Sequence, residues 1–457
     1  MEKHYKVVII GSGPGGYVSA IRAAQLGLSV CLVEQDVLGG VCLNWGCIPT
    51  KSLLHSAHMF RAFNTAALFG IRAENITLDF AQVQQRKAAV VAQLRKGIES
   101  ILKKRGVDVV YGRGRISGEH TVSVDDQTTE FEHCILATGS RAAELPDIKI
   151  DEEGIVSNKG ILGIQKIPAR LIIIGGGVIG CEFADMFQSC GTQVTMIELT
   201  GSLLPGEDPD CVRMITGDFK KRGISVMTET RVNSVLKQAD GTFSAVLSSG
   251  QSCCADIILV AVGRRPNIEQ CGIQETGITC VQGKISVDEH MRTSIPGIYA
   301  IGDAVGKTFL AHTASHEGIT AVEHIAGNNS GMRYDCIPRC VYTHMQVAGV
   351  GISESQAQDK GIKVKIGKFP FTASGKALIE GAAQGMIKII TQSDTDTIIG
   401  ASLCGLNVTE LVHELCVAIR AGVTSAQLAN IIHAHPTLSE SVMEAAESVH
   451  GKAIHIF

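Results

Sequence analysis

Twice along the chain a short, unbroken apolar run ends at a Gly-rich turn, and an amphipathic stretch and a second apolar run follow. The first copy reads Lys6-Val-Val-Ile-Ile, then Gly11-Ser-Gly13-Pro-Gly-Gly16, an amphipathic stretch to about Gly27, and Ser29–Val33 ending at Glu34. The second reads Leu171-Ile-Ile-Ile, then Gly175-Gly-Gly177-Val178-Ile179-Gly180, a stretch to about Gly191, and Gln193–Ile197 ending at Glu198. Continuous apolar runs of this length suit strands of a parallel sheet buried on both faces, and the 3.6-residue period between them predicts a helix. From first glycine to acidic residue the spacing is 23 in both copies (11 to 34, 175 to 198). The pattern predicts two βαβ mononucleotide-binding units.

Each glycine in such a turn has a physical task. The first makes the tight turn, the second lets backbone approach a pyrophosphate, and the third packs helix on strand. The helix N-terminus then faces the phosphates. Glu34 and Glu198 stand where a carboxylate accepts hydrogen bonds from ribose hydroxyls, and the residues next to Glu198 include no Arg suited to a 2′-phosphate, which favours NAD over NADP. Between the copies, Leu53–Arg61 and Phe80–Arg105 read as helices, the second long and charged on one side. Two more strands end at Thr138-Gly139-Ser140 and at Gly302-Asp303, placing polar groups at the carboxyl edge of a sheet, where ligands bind. After about Cys336 strands at 362–369, 385–391 and 397–404 alternate with helices at 409–421 and 425–431, a separate α+β domain.

Composition narrows the partners. A chain of 457 residues with 45% hydrophobic and 19% charged positions builds several cores. A net charge of −4, with basic residues scattered among acidic ones, gives no attraction to nucleic acid or anionic lipid. The longest apolar runs fall far short of the ~20 residues that span a bilayer, so no membrane partner is expected. Met1–Tyr5 leads straight into Val7–Ile10 with no room for a signal segment, and cytoplasmic residence is the expectation. The fifteen cysteines show no disulfide framework. Cys31, Cys134 and Cys181 sit in apolar settings that suit packing, and Cys253/Cys254 and Cys336/Cys340 lack the doubled CxxC of a zinc site. No metal is expected.

Gly39-Gly40-Val-Cys42-Leu-Asn44-Trp45-Gly46-Cys47-Ile-Pro49-Thr-Lys51 carries the sharpest chemical signal. On a regular helix two positions five apart have Cα atoms about 8–9 Å from each other, beyond the ~7 Å limit for a disulfide. The chain must therefore bend, which Asn44 and Gly46 permit. Pro49 suits a first helical turn, so a helix begins near Cys47 and its dipole favours a thiolate there. Cys42, expected in the preceding loop, is the more open to a reactant. Lys51 lies one turn beyond Cys47 on the same face, either solvated or aimed at whatever the sulfurs touch.

Near the C-terminus, His433-Ala-His435-Pro436-Thr437-Leu-Ser-Glu440 carries two readings. Thr437-x-x-Glu440 has the form of a capping box opening a helix over 441–449. Alternatively Glu440 orients His435 as a base toward a thiol, which reacts only as thiolate. An HxxxH pair at His312 and His316 lacks a third ligand.

Taken together, GSGPGGYVSA, GGVCLNWGCIPTK, ATGS, GGGVIGCE, VGRRPN, AIGDA, LAH and HAHPTLSE, in that order over nearly the whole chain, resemble the pyridine nucleotide-disulfide oxidoreductase family. The resemblance implies an α/β fold of two Rossmann-like dinucleotide-binding domains plus a C-terminal α+β dimerisation domain. The implied division is 1–145 (FAD), 146–266 (NAD), 267–335 (central) and 336–457 (interface). It implies FAD at Gly11, Gly13, Gly16, Glu34, Gly39, Gly40, Lys51, Gly114, Thr138, Gly139, Ser140, Asp303, Leu310, Ala311 and His312. NAD falls to Gly175, Gly177, Val178, Ile179, Gly180, Glu182, Glu198, Val232 and Gly263. It further implies a Cys42–Cys47 redox disulfide, Cys47 against the flavin and Cys42 exchanging with a dihydrolipoyl dithiol, and a Lys51–Glu182 pair near both cofactors. In the family the dimer is obligatory, His435 and Glu440 serving the partner subunit's disulfide. Lipoyl domains of 2-oxoacid dehydrogenase complexes or of the glycine cleavage system are the implied partners. Glutathione- or mercuric-reductase-like activity is the nearest rival, and a flavin-binding protein without catalysis the more distant one. Trp45, where a smaller residue is common, and His316, where a charged one is, depart from the family pattern and bear on the substrate channel.

Overall fold

The computed structural model describes residues 4–269 and 271–456, so Met1–Lys3 of the N-terminal run lie outside the described residues. The first Gly-rich unit is β1 (His4–Ile10), α1 (Pro14–Gln25) and β2 (Val30–Glu34). Strands β1 and β2 pair in parallel, as a βαβ crossover requires. Asp108–Tyr111 extends the sheet beyond β2, and Gln127–Leu136 lies on the other side of β1, itself flanked by Ile298–Ala300 and by a hairpin ladder of Gly114–Gly118 and Thr121–Val124. The seven strands thus gather segments from residues 4 to 300. Val7, Val8 and Ile9 are fully buried, which explains why this run does not alternate.

Three helices follow β2. A short one, α2 (Gly40–Trp45), breaks at Gly46; α3 (Cys47–Thr65) and α4 (Phe80–Lys104) then pack together. Only Phe80, Gln84 and Leu102 of α4 are buried, so its charged flank is solvated, as its composition predicts.

The second unit is β3 (Arg170–Ile174), α5 (Val178–Ser189) and β4 (Gln193–Ile197), again parallel, within a five-stranded sheet completed by Ser225–Met227, Ile257–Val260 and Ile155–Val156. Helix α6 (Pro209–Lys221) follows, started by Asp208, whose carboxylate accepts from the backbone of Asp210. Helix α7 (Ala311–Ile325) then runs against α1.

The last sheet is antiparallel, in the order Arg339–Val341, Gln346–Gly351, Ile398–Gly405, Met386–Gln392, Val364–Pro370. Helices α8 (Val408–Ala421), α9 (Ser425–Ala429) and α10 (Glu440–Ser448) cover it. The α+β expectation for this region holds. Helix α9 ends at Ala429, two residues short of the expected 431, capped by Asn430, whose side-chain amide bonds back to the Ala426 carbonyl. Among the described residues no helix is long and apolar enough to cross a membrane, and no group of three or more His, Cys, Asp or Glu is placed to hold a metal ion.

Candidate active site

The two Gly-rich turns open onto one cleft of about 2700 Å³. Ligand pockets usually hold roughly 300–1,000 Å³, so this one has room for more than one large ligand.

Both turns are built by backbone proximity. Gly11 has φ +102°, and a Cβ there would stand 2.3 Å from the Ala137 carbonyl oxygen; at Gly175, φ +112°, it would stand 2.4 Å from that of Ala261. The third glycines do what their position predicts: a Cβ on Gly16 or Gly180 would sit 1.8 or 2.1 Å from the carbonyl of Gly11 or Gly175. Each therefore clamps helix to strand and does not line the cleft. Gly39 also lies off the cleft wall, serving as the left-handed N-cap of α2. Gly13 and Gly177 have open space at the Cβ position and face the cleft, which is the cradle a pyrophosphate needs.

Glu34 and Glu198 both line the cleft and also tie their strand ends to the Gly-rich loops. Glu34 accepts from the Ser12 amide (3.0 Å), the Ser12 hydroxyl (2.5 Å) and the Asp36 amide (2.8 Å). Glu198 accepts from the Gly176 amide (2.5 Å) and from the amide and hydroxyl of Thr200 (2.7 Å each). Gly40, Gly114, Thr138, Gly139, Ser140, Asp303, Leu310, Ala311 and His312 line the arm beside the first unit; Val178, Ile179, Val232 and Gly263 line the arm beside the second. Thr138 Oγ1 is buried here with no hydrogen-bond partner on the chain. An orphaned hydroxyl in such a wall fits a polar ligand. With the two open glycines and the two strand-end carboxylates, the residues present fit a flavin dinucleotide in one arm and NAD in the other.

The cysteines sit where the arms meet. The bend between them is at Gly46 alone (φ −141°, ψ −115°), since Asn44 is helical and its side-chain amide donates to the carbonyls of Leu38 and Gly40. Cys42 is accordingly not in a loop, as its Gly and Asn neighbours suggested, but on helix α2, which Gly39 starts with a positive φ. Cys47 is the first residue of the 19-residue α3, as expected from Pro49. Both sulfurs are thiols here. The hydrogen bond from Cys42, helped by the Lys51 charge, lowers the Cys47 thiol to about 7 against the burden of burial. The same hydrogen bond, with burial, raises Cys42. The two sulfurs are chemically unequal.

Lys51 Nζ donates to both carboxylate oxygens of Glu182, at 2.8 and 2.7 Å, and lies 4.7 Å over the Tyr342 ring. Glu182 also accepts from the Tyr342 amide at 3.1 Å. The sequence did not single out Tyr342 or Arg264. Arg264 donates to the Ser140 hydroxyl (2.7 Å) and carbonyl (2.8 Å) and stands 3.8 Å from Asp303, holding the polar corner of the first arm. Its place in VGRRPN beside Gly263 was the available signal.

His435 and Glu440 do not line this cleft. They pair at 2.9 Å, with the His435 side chain 79% exposed. The two readings of Glu440 merge: one oxygen takes the His435 Nδ1, the other accepts the Thr437 amide at 2.8 Å. The reciprocal half of a capping box is missing, because the Thr437 hydroxyl donates to the Ala434 carbonyl and the helix starts one residue earlier than expected, at Glu440. Burial pushes the Glu440 carboxyl up, but the Thr437 amide and His435 outweigh it and hold it below its usual range. His433 is committed elsewhere, to Glu414 at 2.8 Å. His312 bonds the Pro338 carbonyl at 2.9 Å.

Two family models match the chain: "Pyridine nucleotide-disulphide oxidoreductase" over residues 5–318 and "Pyridine nucleotide-disulphide oxidoreductase, dimerisation domain" over 337–446. Dihydrolipoyl dehydrogenase of Geobacillus stearothermophilus is 43% identical, with 99% of this chain and 97% of that protein covered. A dihydrolipoyl dehydrogenase of Bacillus subtilis is 42% identical with both fully covered. Among solved structures, LpdA of Mycobacterium tuberculosis superposes with TM-score 0.91 at 27% identity, covering 97% of this chain and 99% of that one. The HOCl-induced flavoprotein disulfide reductase RclA of Escherichia coli does so with TM-score 0.87 at 26% identity, covering 98% and 100%.

Proposed function

The chain belongs to the pyridine nucleotide-disulphide oxidoreductase family, and we propose that it works as a homodimeric dihydrolipoyl dehydrogenase, oxidising protein-bound dihydrolipoamide and reducing NAD. The observation that carries this reading is the pair of unequal thiols, Cys42 and Cys47, at the junction of two dinucleotide arms, with a base-competent His435–Glu440 pair on the outer surface. FAD, when bound, supplies the two-electron relay between the thiolate and NAD. The chain's own residues do the rest. His435, held by Glu440, takes the proton of one dihydrolipoyl thiol. The resulting thiolate attacks Cys42 of the oxidised pair, breaking the Cys42–Cys47 bond and leaving Cys47 as thiolate. The second substrate thiol, giving up its proton, attacks the mixed disulfide; lipoamide leaves and Cys42 departs as thiol. Substrate loses two electrons and the cysteine pair gains them. Cys47 at the start of α3 keeps its charge beside Lys51.

The site assignment is part of the proposal. Gly11, Gly13, Glu34, Gly40, Gly114, Thr138–Ser140, Asp303 and Leu310–His312 face the FAD. Gly175, Gly177, Val178, Ile179, Glu198, Val232 and Gly263 face the NAD, with Lys51 and Glu182 between the two. His435 and Glu440 act on the partner subunit's cysteine pair, which their exposure and their position off the cleft support. The division at about 145, 266 and 335, cytoplasmic residence, and service to lipoyl domains of 2-oxoacid dehydrogenase complexes or the glycine cleavage system complete the proposal.

Anaerobic titration of the purified flavoprotein with dihydrolipoamide tests it. A long-wavelength thiolate–flavin band and NADH formation on adding NAD are expected. No spectral change would overturn it, and reduction of glutathione disulfide by NADPH in its place would favour a reductase.

A further inference from the structure

Glu182 is one of two carboxylates presented in the same way. It sits on α5, takes the ammonium of Lys51 from α3, and accepts the backbone amide of Tyr342. Three residues on, the same face of α5 presents Asp185. Asp185 takes the imidazole of His58 from α3, two turns after Lys51, and accepts the backbone amide of His344 at 3.0 Å. The two rungs repeat with α5 at i and i+3, α3 at i and i+7, and the 342–344 segment at i and i+2. The second rung is the deeper one. Asp185 is completely buried and also takes Arg222 from the end of α6, while Arg61 and Asp218 stand close enough to act on the same cluster electrostatically. The His58 and His344 rings meet edge to face at 5.7 Å.

The first rung has slack that the second lacks. Lys51 is a flexible chain with a third of its side chain exposed, and nothing in its own two bonds stops α3 from sliding along α5. Asp185 is instead held from two sides, by the short, stiff imidazole of His58 and by the buried guanidinium of Arg222, and losing either partner leaves an uncompensated buried charge. We propose that His58 and Asp185 are positioning residues: their rung fixes the register of α3 on α5, and so sets where Lys51 and Cys47 stand relative to Glu182 and the two dinucleotide arms.

The inference rests on the dithiol-to-NAD reading above, and the test separates the two. The flavoprotein is prepared as wild type, His58→Ala and His58→Gln; three-quarters of the His58 side chain is buried, and Gln keeps a donor near Nε2. Turnover of dihydrolipoamide with NAD is measured, and separately the pH midpoint of the thiolate–flavin band after dithionite reduction to the two-electron level. His58→Ala should lower kcat about tenfold with KM for dihydrolipoamide within about twofold, since small displacements of reacting groups are costly. It should also move the midpoint upward, as Lys51 drifts from Cys47. His58→Gln should restore both at least halfway. A flavin-loaded His58→Ala protein with unchanged kcat and midpoint overturns the proposal, as does a Gln variant no better than Ala. If wild type fails to oxidise dihydrolipoamide, the functional reading falls, while the midpoints of the three proteins still decide the positioning role.

Discussion

Lys51 and Glu182 pair at 2.7 Å inside the cleft, and His435 and Glu440 pair at 2.9 Å on its outside. Nearly equal in length, the two pairs are opposite in setting. Glu182 is 3% exposed and shares its carboxylate with the backbone amide of Tyr342, one residue past the edge strand of the C-terminal sheet, so the pair is walled in by three separate stretches of chain. His435 projects 79% of its side chain outward, steadied by a single carboxylate. A base needs to reach a proton, and within one copy of the chain this one lies off the cleft that Cys42 and Cys47 line. Under the proposed function the contrast means that the electron-carrying half of the site lies within one subunit, and the proton-handling half needs a second, which the dimerisation domain supplies.

The most severe break of that comparison is Cys47→Ser. Dihydrolipoamide turnover and the long-wavelength band should both vanish while flavin content stays at wild-type level, because the arms that hold it are untouched. Surviving turnover would remove Cys47 from the chemistry. His435→Ala should come next, costing about 10²–10⁴-fold in dithiol oxidation, the usual worth of a positioned base. Reduction of the flavin by NADH should be spared, since His435 is off the cleft. Co-expressing the two variants sharpens the point. Mixed dimers carry one intact site, so random pairing should return about a quarter of wild-type activity from two inactive parents. Recovery no greater than the parents' sum would sink the shared site.

How far the sequence reached follows the same divide. The cleft was legible because its parts are local: the glycines of the two strand-to-helix turns, the strand-end glutamates and the helix start at Cys47 answer to backbone rules acting over a few residues. The pairing of His435 with Glu440 was legible for the same reason. What spacing misjudged was a helix too short to show a period: Gly40–Trp45 has one turn and a half, and its Gly and Asn residues read as loop although Gly39 and the Asn44 amide organise it. What spacing could not reach depends on segments far apart in the chain. Asp185 looks like a polar slip on an apolar helix until His58, Arg222 and the His344 amide arrive from 127, 37 and 159 positions away.

A pH titration probes the cleft half at smaller amplitude. The Cys47 thiol is lowered to about 7, so its charged form, and with it the thiolate–flavin band, grows as pH rises through that value and fades below it. Lys51→Met removes a positive charge that favours the thiolate. The midpoint should then rise, by about one unit for loss of one nearby partly buried charge, while His435→Ala leaves it in place. An unmoved midpoint in Lys51→Met would mean the helix terminus and Cys42 alone set the thiolate, and that the Lys51–Glu182 pair serves the nicotinamide side.

Trp45 tests the comparison at its rim. It is the sole tryptophan, lines the cleft between the two cysteines, takes the Asn158 amide on its carbonyl at 2.6 Å and lies 4.8 Å beneath the Lys159 ammonium. Lys159 is exposed, and a cation over an aromatic face in such a place is worth only about 0.5–1 kcal/mol. Trp45→Val should therefore keep the fold and, because the ring lines the cleft wall, raise KM for dihydrolipoamide by about two- to fivefold with kcat and NADH-driven flavin reduction near wild type. A fall in kcat without a change in KM would place Trp45 with the thiols and not with the entrance. The backbone bond from Asn158 survives the substitution, so any loss belongs to the ring.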